Sequence, residues 1–87
     1  MLRTVTLLKR VTINLQLEQA KLEVERLQNE IVSNKNQIAE LEKAKKNADQ
    51  DAAVSYTTQI LSLQSDNAKN EYDIKTKNVE IKKLEAS

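Results

Sequence analysis

The sequence predicts an all-α protein, a coiled-coil helical hairpin preceded by a short N-terminal β-strand or extended segment. Three observations lead there. Two heptad runs occupy most of the chain, their frames differ by one residue near the middle, and the first residues alternate apolar and polar instead of following a helical period. One long continuous coiled-coil helix is the alternative architecture. By domain, residues 1–16 form the attachment segment and residues 17–87 the coiled coil, with arms at about 17–46 and 52–85.

The first arm carries Leu17, Val24, Ile31, Ile38 and Lys45 at a positions, and Ala20, Leu27, Asn34, Leu41 and Ala48 at d positions. Apolar residues recurring this way for several repeats need a neighbouring helix to cover them. The second arm repeats the pattern. Its a positions are Ala53, Ile60, Asn67, Ile74 and Ile81, and its d positions are Tyr56, Leu63, Asn70, Lys77 and Leu84. Stepping by sevens from Leu17 reaches Ala52, whereas the second frame requires Ala53. A continuous helix absorbs one extra residue along the stripe Leu41, Ala44, Ala48, Ala52, Tyr56, Ile60, Leu63, by locally unwinding its supercoil. A hairpin instead breaks at Lys45–Asp51, where Asn47 can take the left-handed conformation and Asp49 or Asp51 can cap the next helix.

Folding there sets Leu41 against Ile60, Ile38 against Leu63, Leu27 against Ile74 and Leu17 against Leu84. It also sets Asn34 against Asn67, which only some registers do. The predicted helix-packing core is therefore Leu17, Val24, Leu27, Ile31, Asn34, Ile38, Leu41, Tyr56, Ile60, Leu63, Asn67, Ile74, Ile81 and Leu84. The same register brings Glu30 near Asp73 and Glu23 near Glu80, a modest like-charge cost. A weaker apolar stripe of Leu22, Val32, Ala39, Val54, Leu61, Ala68 and Val79 gives the hairpin a second face able to dock another copy.

Before the first arm, Val11, Ile13, Leu15 and Leu17 alternate with Thr12, Asn14 and Gln16. β-branched residues at period two read as a strand with one buried face. An isolated strand must pair, so Val11, Ile13 and Leu15 are the expected attachment strand to a larger protein. A helix running to the N-terminus is the simpler rival. Arg3, Lys9 and Arg10 precede any acid, a composition shared with mitochondrial presequences, although an ordinary basic start is favoured.

Composition narrows the chemistry. The 87 residues include no Gly, Pro, Cys, His, Trp or Phe, and 14 basic against 13 acidic groups leave a net charge of +1. No thiol, imidazole, usual zinc site, disulfide or phosphate-cradling glycine loop is available. The expectation is a non-enzymatic protein without cofactor or metal. Glu23, Glu25, Glu30, Glu40 and Glu42 read as solvated helix flanks, and Tyr56 as an amphipathic core residue. Asp49-Gln50-Asp51 has acid spacing like the start of a calcium loop but lacks the loop's Gly and closing Glu. No apolar run is long enough to span a bilayer.

Two resemblances bear on partners. The segment Arg10-Val-Thr-Ile-Asn-Leu-Gln resembles the strand of ribbon–helix–helix repressors, which implies a DNA-reading face of Arg10, Thr12, Asn14 and Gln16. One long heptad helix follows instead of two short ones, and the near-zero net charge argues against nucleic acid. Asn at d resembles the hydrated cores of trimeric fibre stalks in phage and bacterial adhesins. The expected function is a structural or assembly protein that forms homo-oligomers through its heptads and docks to a larger protein through residues 1–17. A virus particle is the first setting, with localisation in a virion or the cytoplasm. A secretion-system adaptor or chaperone-like coiled coil is the first alternative, and a small DNA-binding protein with an N-terminal β-ribbon is the second.

Overall fold

With no Gly or Pro anywhere in the chain, a helix once nucleated continues until polar residues offer it a better end. The computed structural model describes residues 2–87 and contains two long helices, α1 (Leu2–Lys46) and α2 (Gln50–Glu85), packed as an extended antiparallel hairpin. The Cα trace measures 73 × 15 × 13 Å. The hairpin expected from the heptad frames is present, and the continuous helix is not. The helices begin earlier than the expected arms, at Leu2 instead of about residue 17 and at Gln50 instead of about 52.

The reversal takes only Asn47, Ala48 and Asp49. Two tightened bonds close α1, from Asn47 N–H to the Ala44 carbonyl (3.3 Å) and from Ala48 N–H to the Lys45 carbonyl (3.2 Å). Asn47 does not take the left-handed conformation, since no described residue has positive φ. The i→i−3 bonds satisfy carbonyls that a left-handed cap would otherwise engage. Asp49 is the N-cap of α2. Its backbone is extended (φ −70°, ψ 175°) and its carboxylate accepts from Ala52 N–H at 2.9 Å. Lys43, Lys45 and Lys46 crowd the negative end of α1, while Asp51 lies in the first turn of α2. Both placements oppose the helix dipoles favourably.

The N-terminal strand is corrected. Residues 2–16 continue α1, and no strand occurs among the described residues. At 100° per residue, positions two apart lie on nearly opposite helix faces, while positions four apart share one. The alternating set therefore divides into Val11 with Leu15 and Ile13 with Leu17. Val11 and Leu15 are 54% and 57% exposed, whereas Ile13 and Leu17 are half-buried and lead into the seam. A strand would also need a neighbour for its backbone groups, which a helix satisfies within itself. Thr12 fits by returning its hydroxyl to the Leu8 carbonyl at 2.9 Å.

Candidate functional site

The hairpin seam is set by one polar contact. Asn34 Nδ2 donates to Asn67 Oδ1 at 2.9 Å, and both side chains are buried. Facing positions therefore have numbers that add to 101, as 34 and 67 do. Around this layer Ala20, Leu27, Ile31 and Ile60 are the buried apolar residues. Leu17, Val24, Ile38, Leu41, Tyr56, Leu63, Ile74, Ile81 and Leu84 are only half-buried. Two helices cover each seam residue from one side, so most of these side chains keep part of their surface open.

Ala20 and Asn70 are buried like the core residues expected from sequence, and their d positions are the signal that finds them. Asn70 stands opposite Ile31, and its Nδ2 is buried without a hydrogen-bond partner. An unpaired buried donor costs about 1–3 kcal/mol. Asn34 and Asn67 avoid most of that cost by pairing with each other.

Along one flank, the expected like-charge contacts are interleaved with bases. Arg26 grips Glu23 through two bonds, Nη2 to Oε1 at 2.6 Å and Nε to Oε2 at 3.0 Å. It also reaches Glu30 at 3.4 Å. Lys77 pairs with Glu80 at 3.2 Å. The Arg26 hydrogen bond holds the Glu23 carboxyl below its usual value, aided by the charges of Arg26 and Lys77. In return, the bond to Glu23 raises the Arg26 guanidinium above its ordinary range. All these groups are solvated, so the pairs tune the flank more than they hold the fold.

The outer surfaces carry the remaining apolar residues. On α2, Val54, Leu61 and Ala68 recur every seven residues, with Tyr72 and Val79 completing the line. Val54, Leu61, Tyr72 and Val79 are 52–70% exposed, and Leu22 and Val32 on α1 are similarly open. Tyr72 was not among the expected apolar positions, though its spacing of seven from Val79 reveals it.

Residues 2–15 form a projection. Glu85, the last residue of α2, stands opposite Gln16 by the register of the Asn pair, so α1 extends past it by about 20 Å at 1.5 Å per residue. Val5, Leu7, Leu8, Val11 and Leu15 are exposed there. Among the described residues, no group of His, Cys, Asp and Glu gathers to hold a metal ion, and no helix is long and apolar enough to cross a membrane. Compared with known proteins, the chain matches no family model, no curated protein and no solved structure.

Proposed function

We propose that this protein is a non-enzymatic assembly module whose hairpin shaft self-associates and whose N-terminal helix attaches the assembly to something larger. The half-covered seam carries this reading. Among the described residues, only four apolar side chains are buried and no large one is fully enclosed. A core this small supports a chain of this length poorly, and association with another helix pair is the available remedy. The exposed apolar line of Val54, Leu61, Tyr72 and Val79 supports it, as the surface a neighbouring helix pair would cover.

The occupant we assign to that surface is a second copy, giving a four-helix bundle of two hairpins. Light scattering should then return twice the 9.9 kDa chain mass at micromolar concentration. Val54→Glu combined with Leu61→Glu should return the single-chain mass. A wild-type monomer overturns the reading. The same outer stripe would admit a partner helix in an adaptor, in which case a second polypeptide co-purifies with the chain and the double variant releases it. A virus particle is the narrower setting we propose, on the Asn- and Lys-rich composition. Mass spectrometry of purified particles should find the chain at a symmetric copy number.

A further inference from the structure

The projection differs chemically from the rest of the molecule. Arg3, Lys9 and Arg10 are its charged residues, and the first acid is Glu18, beyond its base. The shaft mixes both signs throughout. At 3.6 residues per turn, Leu7, Leu8, Val11 and Leu15 fall within an arc of about 100°, and Arg3, Arg10 and Lys9 lie roughly 90–150° from its centre. All four apolar residues are more than half exposed, from 54% at Val11 to 62% at Leu8. The arc points away from the side of α1 that continues into the hairpin seam through Ile13 and Leu17.

We propose that residues 2–16 are an interfacial helix that lies on an anionic lipid bilayer. Leu7, Leu8, Val11 and Leu15 enter the boundary of the acyl chains, and Arg3, Lys9 and Arg10 meet the headgroup charge. This inference rests on the reading of the projection as the attachment element and names the surface it attaches to. A cationic, acid-free amphipathic helix with Leu and Val on one face has the chemistry of such a contact.

A second copy fits this stripe less well. Helix pairing needs apolar positions sustained over about three or four heptads. Here Leu22 continues the spacing of seven from Leu8 and Leu15, but Glu18 and Glu25 fall on the same face and Asn29 takes the next position. Two projections side by side would also gather six cations with no acid between them. The outer face of α2 offers no relief, since Lys69 and Lys75 flank Tyr72, and Lys82 and Lys83 follow Val79. A nucleic acid would engage the cations but leave the leucines in water.

The test uses the full chain with vesicles of phosphatidylcholine alone or with about 30% phosphatidylglycerol, at roughly 0.1 M salt. Sedimentation should show at least tenfold stronger partition onto the anionic vesicles, falling toward the neutral level near 1 M salt. Val11→Glu with Leu15→Glu should abolish it, while circular dichroism shows the helices retained. Failure to bind anionic vesicles, equal binding to neutral ones, or unchanged binding by the double variant overturns the proposal. So does binding of a DNA duplex equally by wild type and double variant with no vesicle binding. Light scattering on the same samples separates the two readings. If the double variant alone becomes monomeric and vesicles are never bound, the stripe joins copies and the membrane inference fails. A wild-type monomer that still binds vesicles defeats the assembly reading and leaves the membrane contact standing.

Discussion

The shaft and the projection are two stretches of similar helix with opposite relations to their surroundings. From Gln16 to Glu85 each seam position faces another across the 101 register, and Leu27, only 3% exposed, is buried because a second helix lies over it. From Leu2 to Leu15 the apolar content is no lower, yet Leu8 remains 62% exposed. The difference teaches that spacing alone does not bury a residue. Burial begins where two heptad lines overlap, and the extra length of α1 leaves its first turns with apolar residues and no cover. Stability therefore concentrates in the shaft, while the projection has open apolar surface and no seam beneath it.

Truncation should separate the two regions most clearly. Leu27→Ala is expected to destabilise the fold by about 2–5 kcal/mol, since it removes buried atoms and leaves a cavity. Leu8→Ala should change stability by less than about 0.5 kcal/mol. Chemical denaturation followed by circular dichroism measures both, and equal losses would dissolve the distinction.

The seam itself can be sharpened through its asparagines. Asn34→Leu should cost about 1–3 kcal/mol because Asn67 is left buried and unpaired. Asn70→Leu should have the opposite sign, gaining stability by removing an unsatisfied donor opposite Ile31. If both variants lose stability alike in denaturant titrations, the two polar positions are equivalent and this account of the layer fails. Cysteines introduced at positions 34 and 67 should cross-link within one chain.

At the turn, Asp49→Ala should lower stability by about 1 kcal/mol, through loss of the bond to Ala52 N–H. Asp51→Ala should cost less, since Asp51 lies within the first turn and acts only through the dipole. Thermal melts of the two variants give the order.

The smallest effect concerns the flank. The Glu23 carboxyl is depressed by Arg26, so its contribution is complete above the ordinary carboxyl range and disappears as pH falls through the lower folded value. Glu23→Gln should remove that part of the acid sensitivity while leaving the neutral-pH melt close to wild type, because the pair is solvated. Melts recorded between neutral and acid pH compare the two profiles. An unchanged acid profile would mean that the Arg26 contact adds nothing.

Much of the shaft is legible before any coordinates. Branched aliphatics and Leu twice per seven residues demand a covering helix, and the polar run from Lys45 to Asp51 is the cheapest place for the chain to reverse. The placement of Asn34 against Asn67 follows from that turn by counting. The N-terminal segment is less legible, because Val11, Ile13, Leu15 and Leu17 satisfy both a strand of period two and, taken in pairs four apart, a helix. Composition does not separate the two, since Thr and Val lower helix propensity only slightly and a helix already nucleated downstream extends through them at little cost.

What the sequence determined alone is the pair of heptad arms, the facing positions a hairpin between them would create, and the absence of any thiol, imidazole or glycine-loop chemistry, since these depend on residue identity and spacing. The spacing also allowed one continuous helix, and the hairpin is what the chain forms. Tertiary structure decided the rest. It selected Asp49 over Asp51 as the cap, ended α1 with tightened turns instead of a left-handed Asn47, and made the N-terminal residues helical. It also left one line of leucines and valines covered and a second open. The physical reason is that a side chain's burial depends on what lies across from it, and that is a property of how far each helix runs beside the other.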